Sequence, residues 1–156
     1  MIKALLFDFA RVLIFPKDKT YSGGINDLNR ELSKTPNYKL LEYFELNIDL
    51  LKYLKAINDR VPVYMFTSEL IQEDPAIKGQ ISGVFSKIYS AQIMGVSKKE
   101  VSTYSFIATD LNLNTNQILF IDDNSENIEA AKIAGMETVQ YKDNSMIDLI
   151  TEIVNR

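Results

Sequence analysis

The chain has 156 residues, 46% of them hydrophobic, and a formal net charge of −4, which is enough apolar material for one full core but not for two complete domains. No basic field is available to neutralise nucleic-acid phosphates, so nucleic acid is not an expected partner. The absence of cysteine and histidine excludes disulfides, thiolate nucleophiles, zinc held by Cys or His, a Ser-His-Asp triad and a phosphohistidine, and leaves Asp, Glu, Lys, Tyr or water for any acid-base or nucleophilic work.

The first element is the apolar run Ile2-Lys3-Ala4-Leu5-Leu6-Phe7. It reads as a buried parallel strand over 2–7 and leaves Asp8 at its carboxyl end, where open α/β sheets place their chemistry. Between Phe15 and Asn47 the pattern changes. Pro16, Gly23-Gly24 and Pro36 punctuate two short amphipathic stretches, Ile25/Leu28/Leu32 and Leu40/Leu41/Phe44, in place of the single crossover helix that a minimal unit needs. This predicts a reduced helical flap at about 16–46, over the strand ends. A helix follows over 47–58, capped by Asn47, with Asp49 in its first turn and Leu50, Leu51, Leu54 and Ile57 on one stripe.

Further strands are expected over 62–66, ending in Thr67-Ser68, and over 86–90. Residues 98–111 predict a helical segment that carries Val101, Tyr104, Ala108 and Leu111 on one face, with Lys98 just before the helix. The run Gln117-Ile118-Leu119-Phe120-Ile121 reads as a strand that ends in the acidic pair Asp122-Asp123. The helix expected over 125–134 has a small face of Ala130, Ala131 and Ala134, which permits close approach to the sheet, and ends at Gly135 as a left-handed cap. A strand over 137–141 and a helix over 146–154, with Ile147, Ile150 and Val154 at helical spacing, complete the chain.

Strand and helix alternate, which predicts a parallel sheet with right-handed crossovers. The expected architecture is a three-layer, Rossmann-like α/β fold: a five-stranded parallel sheet with helices on both faces and a small insert after strand 1. A single domain is expected over 1–156, with its core in 1–15 and 47–156. No apolar run reaches the length of a membrane span, and the expectation is a soluble, cytoplasmic protein.

Two adjacent carboxylates repel and raise each other's pKa unless a cation lies between them, so Asp122-Asp123 makes most sense beside Asp8 as part of an oxygen-ligated magnesium site. The order Asp8, then Thr67-Ser68, then Lys98, then Asp122-Asp123 resembles the haloacid dehalogenase-like (HAD) superfamily of phosphohydrolases. From Gly95 through Lys98, Tyr104 and Leu111 to Phe120-Ile121-Asp122-Asp123-Asn124-Ser125-Glu126-Asn127, and on to Ala130-Ala131 and Gly135-Met136, the spacing runs like a family member without gaps. The resemblance covers most of the chain outside about 16–46.

The resemblance implies catalytic roles for Asp8, as the nucleophile that forms an aspartyl phosphate, and for Lys98, which neutralises nucleophile and phosphate. It makes Thr67 a phosphate-contacting hydroxyl, with the amide of Ser68 nearby. The implied magnesium ligands are the Asp8 carboxylate, the backbone carbonyl of Ala10, and a carboxylate from Asp122 or Asp123. The implied substrate is a phosphorylated small molecule or macromolecule. A reduced flap leaves two arrangements open: an exposed site that accepts a bulky substrate, or a homodimer in which a second subunit lends a lid.

The chain departs from the family at one place. The usual Asp-x-Asp-Gly-Thr/Val is here Asp8-Phe9-Ala10-Arg11-Val12, so the family's general acid and base is missing, a loss worth about 10²–10⁴ in rate. A backbone ligand survives replacement by Ala10. A substrate with a good leaving group, such as an acyl phosphate, needs less protonation. Arg11 stands where glycine is usual and is expected to face solvent or pair with Asp18, with an added phosphate contact as the alternative. Besides a magnesium-dependent phosphatase, the pattern leaves open a degenerate member that binds metal, phosphate or a protein partner without turnover, and a phospho-signalling module with a persistent aspartyl phosphate. Halide displacement ranks lower, because it does not require the cation for which the acidic pair is suited.

Overall fold

The apolar runs of the sequence become the strands of one parallel sheet. The structure, a computed structural model, describes all 156 residues, Met1–Arg156. In chain order its elements are β1 (Ala4–Phe7), β2 (Ile14–Pro16), α1 (Ile25–Leu32), α2 (Leu40–Tyr43), β3 (Phe44–Leu46), α3 (Ile48–Ile57), β4 (Val63–Thr67), α4 (Pro75–Ile81), β5 (Lys87–Ser90), α5 (Ala91–Met94), α6 (Val101–Asp110), β6 (Ile118–Asp122), α7 (Ser125–Ile133), β7 (Glu137–Gln140) and α8 (Met146–Val154). No helix is long and apolar enough to cross a membrane.

The main sheet has the order β5-β4-β1-β6-β7, all neighbours parallel. Successive side chains on a strand point to opposite faces, and the core divides accordingly. Leu5, Phe7, Val63, Met65, Leu119 and Ile121 pack on α3, α4 and α8 through Leu50, Leu54, Ile77, Ile81, Ile150 and Ile153. Leu6, Phe66 and Phe120 pack on the other side against Tyr104, Ile107 and Ala108 of α6 and Ala130 and Ala131 of α7. Each fully buried side chain of this size contributes about 1.5–3 kcal/mol relative to exposure. Both faces of β1 are therefore apolar, which is why its sequence is a continuous apolar run rather than an alternating one.

Several boundaries differ from expectation. The helix predicted over 98–111 begins at Val101, and Lys98 lies in the turn before it. Pro75 at the first helical position and Asp74, whose side chain accepts from the Ala76 amide at 2.9 Å, start the unforeseen α4. Gly135 does adopt the left-handed conformation, with φ 94°. The insert is not purely helical: β2 and β3 form an antiparallel ribbon, Ile14↔Leu46, Phe15↔Glu45 and Pro16↔Phe44, with α1 and α2 between them. Strands of three residues are too short to show alternation in a sequence, and Pro16, which lacks an N–H, suits a ribbon edge. Ile25, Leu40 and Phe44 anchor the insert in the same buried cluster as Leu13 and Ile14.

Candidate active site

The pairing of β1 with β6 sets Phe7 beside Ile121, and the Asp8 amide continues the ladder by donating to the Ile121 carbonyl at 2.8 Å. Asp8 and Asp122 thus leave neighbouring strands side by side. Both share the parity of Leu6 and Phe120, which face the α6–α7 layer, and Lys98 arrives from that layer. Its Nζ donates to Asp8 Oδ1 at 2.6 Å and to the Phe66 carbonyl at 2.9 Å, and pairs with Asp122 Oδ2 at 2.7 Å. The rings of Phe66 and Phe120 flank the ammonium at 5.1 and 5.7 Å. Asp8 and Lys98 are each only 5% exposed and Asp122 is fully enclosed. The Tyr104 hydroxyl, inside the core, donates to the Lys98 carbonyl and fixes the turn that carries it.

Asp122 is held from a second side. Its Oδ1 accepts from the Asn124 amide at 2.8 Å and its Oδ2 from the buried Asn127 amide group at 3.1 Å. Asn124 in turn caps α7 by accepting from the amides of Glu126 and Asn127. The half-buried Asp123 completes an acidic cluster: carboxylate oxygens of Asp8, Asp122 and Asp123 lie within 4.8 Å of one another.

The electrostatics follow from this crowding. Burial pushes the Asp8 carboxyl up to about 7 against the pull of Lys98, and the Asp122 charge adds to the rise. Burial, followed by the Asp122 charge, also raises Asp123. Burial opposes the charge on Lys98, yet Asp8 and Asp122 together overcome it and hold the ammonium protonated. One buried cation thus serves three carboxylates.

Above the cluster lies a pocket of about 290 Å³ lined by Asp8, Ala10, Arg11, Ser68, Asp123 and Asn127, and by residues of the insert. The insert residues are Gly24, the first turn of α1 from Ile25 to Asp27, and Arg30. The insert therefore lies over the strand ends, where a reduced flap was expected, and supplies one wall of the pocket. Arg30 pairs with both Asp27 and Glu69, joining α1 to the segment after β4 across the pocket rim. A larger, shallower hollow of about 500 Å³, lined in part by Lys19, Asn47, Asp49 and Tyr141, contains none of the clustered groups.

The structure thus gathers Asp8, Lys98, Asp122 and Asp123, with Ala10 on the pocket wall. Ser68 reaches the pocket; Thr67 is buried at the end of β4, in register with Ser90, and is not among its lining residues. Arg11 neither faces open solvent nor pairs with Asp18. It is half-buried and its Nη2 donates to the carbonyls of Tyr21 and Gly23. Sequence reasoning missed Asn127, the Tyr104 hydroxyl, Arg30 and Glu69 as parts of the arrangement. Asn127 carried a weak signal, an amide in the first turn of the helix after the acidic pair. Arg30 and Glu69 carried none, since charged residues on short segments are ordinarily solvated.

Comparison with known proteins gives a consistent picture. The haloacid dehalogenase-like hydrolase family matches residues 10–141. Among curated proteins, the chain is 36% identical over 85 residues to the enolase-phosphatase E1 of Aquifex aeolicus, covering 51% of this chain and 37% of that protein. It is 42% identical over 62 residues to the enolase-phosphatase E1 of Erwinia tasmaniensis, covering 40% and 26%. The chain therefore spans well under half the length of these relatives. Among solved structures, a HAD-like family hydrolase from Porphyromonas gingivalis superposes with a TM-score of 0.74 at 17% identity, covering 100% of this chain and 99% of that one. A HAD family enzyme from Bacteroides thetaiotaomicron, solved with magnesium and inorganic phosphate, superposes with a TM-score of 0.68 at 17% identity, covering 94% and 99%.

Proposed function

The chain belongs to the haloacid dehalogenase-like hydrolase family, and from that premise we propose that it is a magnesium-dependent phosphohydrolase that works through an aspartyl phosphate on Asp8. The observation that carries this reading is the charge balance at the strand ends. Three carboxylates lie within 4.8 Å of one another, and Lys98 is the one ammonium among them. A divalent oxygen-seeking cation would neutralise the remainder. Asp8 and Asp123 would hold it with the Ala10 carbonyl, because both oxygens of Asp122 are already engaged by Asn124, Asn127 and Lys98. Magnesium bound there supplies positive charge for the phosphoryl oxygens.

The chain's own residues do the rest. Lys98 orients the Asp8 carboxylate through Oδ1; the carboxylate attacks phosphorus as the bond to the leaving oxygen breaks, and water then cleaves the aspartyl phosphate and releases phosphate. Lys98 also opposes the burial that raises the Asp8 carboxyl. The Ser68 segment offers a polar pocket wall to the phosphoryl oxygens, and the insert limits access of water. Ala10 supplies no proton, so substrates with good leaving groups are favoured.

Ala10 also supports a second reading, in which the site binds metal and phosphate without turnover. Phosphate release from a panel of phosphomonoesters and acyl phosphates, with and without magnesium, separates the two. The first reading expects magnesium-dependent release by the wild type and a loss on the order of 10⁴-fold in Asp8→Asn. Release that appears only in Ala10→Asp would overturn it in favour of the second.

A further inference from the structure

Arg11 is one of three non-glycine residues in the left-handed region, with φ 57°, a conformation in which a side chain is disfavoured and glycine is at ease. The turn around it explains how it is held. The amides of Val12, Leu13 and Ile14 all point at the Phe9 carbonyl, and the Arg11 amide donates to the Ile14 carbonyl at 2.9 Å. This fixes the direction in which the side chain leaves the loop next to Ala10.

The side chain leads to the insert. Nη2 donates to the Tyr21 carbonyl at 3.1 Å and to the Gly23 carbonyl, and the guanidinium lies 6.0 Å from the centre of the Tyr21 ring. The Tyr21 hydroxyl folds back onto the Gly24 carbonyl at 3.1 Å. Gly23 is what permits this fold, because a Cβ there would run into the Tyr21 ring and hydroxyl. The chain then passes through Gly24 into Ile25, Asn26 and Asp27, the turn of α1 that roofs the pocket. One strained residue thus connects the loop bearing Asp8 to the roof. The opposite edge is held by Arg30 and Glu69, an exposed ion pair, and pairs of that kind hold weakly.

We propose that Arg11 is a positioning residue that latches the insert over the pocket through Tyr21 and Gly23, and so sets the size of leaving group the pocket accepts. The proposal rests on reading the pocket as a phosphohydrolase site. Its test joins hydrogen exchange, which needs no substrate, with kinetics on phosphomonoesters of increasing leaving-group size. In Arg11→Gly, amides of residues 19–28 are expected to exchange at least about tenfold faster while the main sheet is unchanged. Preference for small over large leaving groups is expected to fall roughly tenfold, through KM more than kcat. Arg11→Lys, which keeps a cationic donor at the end of a long side chain, is expected to return both readouts part of the way toward wild type. Gly23→Ala, which displaces Tyr21 without touching the loop next to Asp8, is expected to reproduce the Arg11→Gly behaviour.

Unchanged exchange at 19–28 in both Arg11→Gly and Gly23→Ala would overturn the latch, as would unchanged preference in an active enzyme. Absence of turnover by the wild type would instead overturn the phosphohydrolase reading, and the exchange result would still decide whether Arg11 holds the insert.

Discussion

Lys98 sits where an unpaired charge would be least tolerated, and its three partners make the position habitable. Replacing it with methionine leaves the buried carboxylates of Asp8 and Asp122 without their cation, so Lys98→Met is expected to cost about 3–5 kcal/mol in urea denaturation, besides removing phosphate release. Asp8→Asn keeps a polar group against the ammonium and leaves Asp122 paired, so it is expected to retain most of the wild-type stability while losing turnover. These two variants separate folding from chemistry at the same cluster. At the neighbouring position, Ala10→Asp is expected to raise turnover of poor leaving groups by about 10²-fold or more, by placing a proton donor on the pocket wall. The residue scale is also where sequence reading was least secure. Lys98-Lys99-Glu100 looks like an ordinary solvated helix start, and only the joint order of Asp8, Lys98 and Asp122-Asp123 singled it out. Arg11 illustrates the converse: its standing where the family carries glycine is consistent with its left-handed φ, but nothing in the sequence announces the carbonyls its side chain meets.

Elements meet at two polar knots. Asn47 caps α3 by accepting from the Leu50 amide, and its Nδ2 lies within hydrogen-bond distance of three acceptors shared between its two hydrogens, the Val12 carbonyl, the Tyr141 hydroxyl and Asn144 Oδ1. It thereby ties β3's exit, the turn after β1 and the segment after β7. Asn47→Ala loses a cap and leaves half-buried acceptors unpaired, and is expected to destabilise by about 2–4 kcal/mol in urea. The second knot joins α6 to β5. Hydrogen bonds from Lys87 and Tyr89 lower the Asp110 carboxyl below its ordinary value. A depressed carboxylate stabilises the fold above its unfolded-state pKa and loses that contribution as pH falls through its folded value. The Tm gap between wild type and Asp110→Asn is therefore expected at neutral pH and should close in acid. The helix cap at Asn47 and the strands β1 and β6 were legible beforehand, since caps and doubly buried strands have strong local signatures. The ribbon of β2 and β3 was not, because each strand is three residues long and its pairing spans the whole insert. The start of α6 was placed only approximately for a related reason: the turn at Lys98 is set by buried partners on other strands rather than by local propensity.

At the scale of the whole molecule, folding and ligand binding act on the same groups. Magnesium at 100 times its Kd is expected to stabilise the fold by about 2.7 kcal/mol, a rise in Tm of roughly 5–10 °C for a chain of this size. The shift should disappear in Asp123→Asn, and calorimetry with and without a chelator measures it. The general architecture and a flap over the strand ends were readable from the alternation of strand and helix and its interruption, whereas the residues of the insert that line the pocket were not, because they depend on how α1 is turned against the strand ends. The strand order carries one more implication, for a chain emerging from its amino terminus. β1, β4 and β5 are adjacent in the sheet and come first, while β6 and β7 add to the opposite side of β1. Asp8 meets Asp122 only when β6 has arrived and paired with β1. Until then its carboxylate stands at an unpaired sheet edge, so the carboxylate cluster has no counterpart on a nascent chain that has not yet reached β6.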